Sequence, residues 1–199
     1  MTPVRAILFD ADGVIQRGNA ERFFGIAREV YGVDREGFDD FLRDVFEAEH
    51  PAACGLTDFA EALVPVMQRW ECAGTVAQFL PAWDHIDLLP GGLETVAEMR
   101  RRGYLCCLAT NQQAYRMRRM AEGLGLRELF DHAFYSCEIG FRKPDPAYFR
   151  HILETLDLEP SATLFIDDSQ PNVDTAAALG IRAAYFQGGD LMEFVEARL

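Results

Sequence analysis

Short apolar runs alternate along the 199-residue chain with longer stretches in which apolar positions return every three or four residues. The runs at 4–9, 105–109, 133–135, 164–166 and 183–186 predict strands. Those at 4–9, 105–109 and 164–166 show little polar alternation, as in strands covered on both faces of a parallel sheet. Helical periodicity fills 93–102, 114–124, 148–156 and 173–179. Three of these helices stop at Gly103, Gly125 and Gly180, where a left-handed C-cap is wanted, and Pro90 and Pro146 sit near helix starts, where a missing N–H is harmless. Strand alternating with helix predicts an α/β fold, a doubly wound parallel sheet joined by right-handed crossovers.

One interval breaks the rhythm. Residues 16–89 contain no convincing strand; helical patterns lie near 21–31, 36–48, 58–70 and 75–84, with Asp34 and Thr57 as caps. The interval is too long for a crossover, so it predicts an all-helical domain at 16–89 inserted into an α/β core formed by 1–15 and 90–199.

The chain holds 32 acidic and 19 basic residues, a net charge of −13, and the 16–89 interval alone has 6 Arg against 14 acids. Nucleic acid and anionic membrane are excluded as partners on this balance, because both demand clustered positive charge. An anionic ligand would have to find its positive charge locally. Eighteen of the basic residues are Arg, and Lys143 is the single Lys. The five Cys (54, 72, 106, 107 and 137) form no CxxC pair, which fits reduced thiols in a cytoplasmic protein, and the apolar run at 4–9 is too short for a signal peptide or membrane span.

Polar clusters stand where strands stop, the edge at which open parallel sheets bind ligands. Asp10-Ala-Asp12-Gly13 follows the first strand. Two acids one residue apart there can supply a nucleophile and a proton carrier, and Gly13 allows a tight turn, although two acids in a solvated turn look the same. Thr110-Asn111 ends the second strand. A hydroxyl and backbone N–H groups at such a junction bind phosphate, or simply cap a helix. Lys143-Pro144 lies on a loop. A solvated cation is the plain reading, but where Arg serves at every other basic position, a compact ammonium suits phosphate or carboxylate. Asp167-Asp168 ends another buried strand, and two adjacent acids there call for a cation, with hard oxygen donors indicating Mg²⁺.

Taken together, Phe9-Asp10-Ala-Asp12-Gly13-Val14, Ala109-Thr110-Asn111, Arg142-Lys143-Pro144 and Phe165-Ile166-Asp167-Asp168-Ser169 resemble the four motifs of the haloacid dehalogenase-like hydrolases. The interval at 16–89 is similar to the small helical cap that many sugar-phosphate phosphatases of that family carry between their first two motifs, and to the phosphatase domain of bifunctional epoxide hydrolases. The resemblance implies an Asp10 nucleophile forming an aspartyl phosphate, and Asp12 as the acid and base. It implies Thr110 and Asn111 as phosphoryl holders and Lys143 as the neutralising cation. It also implies Mg²⁺ held by Asp10, Asp12 (through its carbonyl), Asp168 and Asp167, the last two not separable. True dehalogenases resemble this scaffold but lack the acid two positions after the nucleophile, so Asp12 favours an alcohol leaving group. The implied activity is hydrolysis of a small phosphorylated metabolite, with a sugar phosphate as one candidate.

Two alternatives share these residues: a phosphosugar mutase of the β-phosphoglucomutase type, and a phospho-accepting signalling module without turnover. Among the other side chains, His50, in the insert near a possible cleft loop, is the first His to consider. Arg100–Arg102 and Arg116, Arg118 and Arg119 read as solvated helix faces. The aromatics of 16–89, among them Phe23, Phe24, Phe46 and Trp83, read as core, with one or two lining a substrate pocket. Gln16, Arg17 and the 50–56 loop are the candidates for substrate contact.

Overall fold

Strands β1 (Ala6–Phe9), β2 (Gln16–Gly18), β3 (Ile86–Leu88), β4 (Leu105–Thr110), β5 (His132–Tyr135), β6 (Thr163–Asp167) and β7 (Arg182–Tyr185) form two sheets. The larger has the order β5-β4-β1-β6-β7 with every pair parallel. The computed structural model describes residues 2–33 and 35–199. β1 is the middle strand, and its four residues are fully buried. Its side chains divide between two apolar layers. Ile7 and Phe9 pack with Leu108, Ile166 and Met99 on one face; Leu8 packs with Cys107, Phe165 and Phe149 on the other. A strand that fills both layers has no room for polar alternation, which accounts for the unbroken apolar runs.

Helices α1 (Ala20–Tyr31), α2 (Phe38–Ala52), α3 (Phe59–Arg69) and α4 (Val76–Phe79) occupy the predicted insert, and α4 continues as a 3₁₀ turn over Leu80–Asp84. They have their own core around Tyr31, Phe41, Phe59 and Phe79. Side-chain caps start three of the four helices. Asn19 accepts from the Arg22 N–H, and Thr75 and Gln78 form a reciprocal capping box. The cap of α3 is Asp58 rather than Thr57: it accepts from the N–H groups of both Ala60 and Glu61. The other expected cap, Asp34, lies outside the described residues.

The interval is not free of strands. β2 and β3 pair antiparallel, Gln16 with Leu88 and Gly18 with Ile86, and so tie together its entrance and exit. Three residues each are too few for periodicity to register.

After β3 follow α5 (Gly92–Arg101), α6 (Ala114–Arg118), α7 (Leu126–Leu129), α8 (Ser136–Ile139), α9 (Pro146–Leu156), α10 (Gln170–Ala178) and α11 (Leu191–Glu196). The predicted helix at 114–124 changes pitch midway: α6 passes directly into a π-helical turn over Arg119–Gly123. The short helices α7, α8 and α11 were not expected from the pattern. Among the described residues no helix is long and apolar enough to cross a membrane.

Candidate active site

The carboxyl edge of the sheet collects the polar clusters because β1, β4 and β6 are adjacent and parallel. Asp10 follows β1 directly; its N–H donates to the Ile166 carbonyl at 2.9 Å. The Asp10 Oδ1 accepts from the Ala11 N–H at 2.7 Å and from the Lys143 Nζ at 2.8 Å. Lys143 Nζ donates also to Asp167 Oδ2 at 2.7 Å and to the Ala109 carbonyl at 2.7 Å. All three ammonium protons are thus committed, and the side chain is buried. Asn111 fixes the Lys143 backbone from both sides: its Nδ2 donates to the Lys143 carbonyl at 2.8 Å and its Oδ1 accepts the Lys143 N–H at 2.9 Å. The motif after β4 therefore positions the lysine.

The two terminal acids of β6 have different surroundings. Asp167 is fully buried, and both its oxygens are occupied: Oδ1 accepts from the Ser169 N–H (2.8 Å) and Asn172 Nδ2 (3.0 Å), and Oδ2 from Lys143 and Asn172. Asp168 is exposed. Gly13, at φ +86°, lies against it so closely that an added Cβ would fall 2.0 Å from Asp168 Oδ2. That turn requires glycine both for its backbone angle and for space.

Negative charge is crowded here. Burial pushes the Asp10 carboxyl up to about 7; Lys143 opposes the shift, and Asp167 and Asp12 add to it. Burial and then Asp167 raise Asp168 as well. Carboxylate oxygens of Asp10, Asp167 and Asp168 lie within 4.8 Å of one another. Such a set of hard oxygens, with only one ammonium to offset it, fits a divalent cation of the Mg²⁺ kind.

Asp12 faces the other way. Arg116 grips it with two hydrogen bonds, 2.6 and 2.8 Å, while Gln112 Nε2 donates to it at 2.9 Å and to Thr110 Oγ1 at 3.0 Å. Burial alone would raise the Asp12 carboxyl, but the Arg116 guanidinium outweighs it and holds the acid below its ordinary value. Arg116 is therefore no solvated cation, contrary to the sequence reading, since its side chain is 12% exposed. α6 begins four residues beyond β4, so its first turn stays over the sheet edge. Position in the topology, not charge spacing, makes the contact.

Beyond Asp12, Asn111 and Gln112 a chamber of about 500 Å³ opens between the insert and the sheet. Phe23, Phe24, Phe46 and Trp83 line it, four aromatics where one or two were expected, together with Glu49, Gln113 and Arg116. His50 and Ala53 of the anticipated loop region are in the lining, as are His85 and Arg142; Gln16 and Arg17 are not. Gln16 is instead buried beneath Asp12, donating to its Oδ1 at 3.4 Å. Burial pushes the Glu49 carboxyl up to about 7 against the pull of Arg116. Glu49, Gln112 and Gln113 escaped the sequence reading because nothing in their spacing marks them. Tyr115 on α6 seats the insert, its hydroxyl donating to Asp84 Oδ2 at 2.8 Å.

Comparison with known proteins places the chain and its fold. A phosphoglycolate phosphatase of Mesorhizobium japonicum is 30% identical over 189 residues, covering 88% of this chain and 79% of that protein. A bifunctional epoxide hydrolase 2 of Sus scrofa is 31% identical over 96 residues, 45% of this chain but 17% of that one. Among solved structures, the HAD family enzyme bt-2542 of Bacteroides thetaiotaomicron superposes with a TM-score of 0.81 at 22% identity, over 98% of this chain and 99% of that one. The same enzyme has also been solved with magnesium and inorganic phosphate. Residues 4–180 match the haloacid dehalogenase-like hydrolase family, and with the fold and the four strand-end clusters in place the chain belongs to that family.

Proposed function

We propose that the protein is a Mg²⁺-dependent phosphatase acting on a phosphomonoester through an aspartyl-phosphate intermediate. The observation carrying this reading is the Lys143 ammonium held between Asp10 and Asp167, with Asp168 alongside. Asp10 attacks phosphorus in line, and its Oδ1 is fixed for that by Lys143 and the Ala11 N–H. Asp12 delivers a proton to the departing alcohol and later takes one from water, for which Arg116 must loosen its grip. In this reading Lys143 supplies the phosphoryl group with positive charge and Thr110 with a hydroxyl. Asp168, whose carboxylate is less engaged, is the direct metal ligand beside Asp10 and the Asp12 carbonyl, and Asp167 orients Lys143. Bound Mg²⁺ supplies the charge neutralisation that lets an anionic nucleophile approach an anionic ester. Residues 1–15 and 90–199 form the catalytic unit, and 16–89 form a cover that excludes water.

Purified protein assayed against 4-nitrophenyl phosphate and a panel of phosphorylated metabolites, sugar phosphates included, should release inorganic phosphate only with Mg²⁺. Turnover that persists in EDTA would sink the metal-dependent mechanism. Stoichiometric phosphate release also separates hydrolysis from a mutase, which returns the phosphoryl group to a sugar.

Metal binding should also register in stability. Asp10 and Asp168 are raised above their unfolded values, so between about pH 4 and 7 the native state holds more protons than the unfolded chain. The contribution of these acids to metal-free stability then falls as pH rises through that window. Mg²⁺ must displace those protons, so the rise in Tm on adding Mg²⁺ should be larger at pH 8 than at pH 5.5. Equal shifts at the two pH values would remove Asp10 and Asp168 from the metal site.

A further inference from the structure

We propose that the alcohol released at this site is an extended, largely apolar one carried in the aromatic chamber, an inference that rests on the phosphatase reading. The chamber's position comes first: it is lined by Asp12, the acid that would protonate the leaving alcohol, together with Asn111 and Gln112, so the alcohol half of the ester has its place there. Its volume of about 500 Å³ lies in the range that accepts a drug-sized body (about 300–1,000 Å³) and far exceeds the need of a two-carbon acid such as glycolate.

The walls choose among larger bodies. Phe23 stacks on Phe46 at 5.9 Å and meets Phe24 and Trp83 edge-on at 5.5 and 5.0 Å. Phe24 and Phe46 nevertheless remain 43% and 41% exposed, an apolar surface left wet beside a catalytic edge. A fitting ligand would cover it.

The polar groups at the floor are largely spoken for. Arg116 is bound to Asp12 and Gln112, and the Gln113 Oε1 accepts from the N–H groups of Tyr115 and Arg116. Gln113 Nε2 is buried and has no hydrogen-bond partner among the described residues, so its two N–H groups are open to acceptor oxygens. Any sugar hydroxyl set against the Phe23, Phe24, Phe46 and Trp83 wall would go without a hydrogen bond there, which is unfavourable. Glu49 in the lining disfavours a second carboxylate. A largely hydrocarbon body suits the aromatic side of the chamber, and a few oxygens on it would meet Gln113 and the His50, His85 and Arg142 side chains that complete the lining.

The test is a series of primary alkyl phosphates, ethyl through octyl, compared with glycerol 3-phosphate, phosphoglycolate and glucose 6-phosphate. For the wild-type enzyme kcat/KM should climb about threefold per methylene, on the order of 10³-fold across the series. Phe24→Asp and Phe46→Asp should flatten that slope; a misfolded variant would instead lose all the esters alike, and the wild-type slope would still decide. A flat series, or polar esters turned over faster than octyl phosphate, overturns the inference while leaving the phosphatase reading intact. Failure to hydrolyse any ester, 4-nitrophenyl phosphate included, overturns both.

Discussion

Asp10→Asn is expected to lower turnover by on the order of 10⁵-fold while leaving the fold in place. The amide has the carboxylate's shape, and its oxygen can still accept from the Ala11 N–H and Lys143. It cannot form the phosphorylated intermediate. Because the Asp10 carboxyl is buried beside Asp167, removing its charge also relieves repulsion, so the thermal transition should stay near that of the wild type or rise. Phosphate release and acid-quenched phosphoryl labelling of the protein check the two halves of this expectation. Activity within about tenfold of wild type would place the nucleophile elsewhere.

Changes at Lys143 should separate charge from shape. Lys143→Met leaves Asp10 and Asp167 buried together without a counter-charge. Breaking such a pair costs about 3–5 kcal/mol, a fall in Tm of roughly 10 °C for a chain of this size. Lys143→Arg keeps the charge, and stability should recover in part. Activity should not. The ammonium sends three short bonds to Asp10, Asp167 and the Ala109 carbonyl, and a planar guanidinium on a longer stem cannot reproduce that arrangement. A loss of about 10²–10³-fold in kcat is expected. Near-normal kcat in Lys143→Arg would mean that the compact ammonium has no special part, and melting curves alongside the kinetics show whether a low rate reflects unfolding.

Much of this site is legible in the sequence. Asp10, Asp167 and Asp168 are marked by their places at strand ends, legible because β1, β4 and β6 are buried on both faces, whereas Lys143, on a loop, is marked by being the single Lys. The division of labour between Asp167 and Asp168 is not legible there, since it depends on which oxygens Ser169, Asn172 and Lys143 occupy. Arg116 was misread for a related reason. Helical spacing places it on a basic face with Arg118 and Arg119, which are exposed, but the path of the chain out of β4 lays Arg116 itself over Asp12. Phe41 and Phe23 belong to the same apolar pattern, yet one is core and the other chamber wall. Pattern reports that a residue is apolar; only packing tells whether its neighbour is protein or ligand.

The paired stem of β2 and β3 carries a consequence for how such an enzyme can change. Gly18 and Ile86 are register partners, so the chain leaves the sheet and rejoins it through one narrow doorway. Anything spliced in at that doorway, longer or shorter, leaves the spacing of the five parallel strands as it was. The aromatic wall that the 16–89 interval lends to the chamber can therefore change while its floor of Asp12, Asn111, Gln112 and Arg116 stays with the strands. New appetites can be acquired by rebuilding the room, with the chemistry at its threshold left undisturbed.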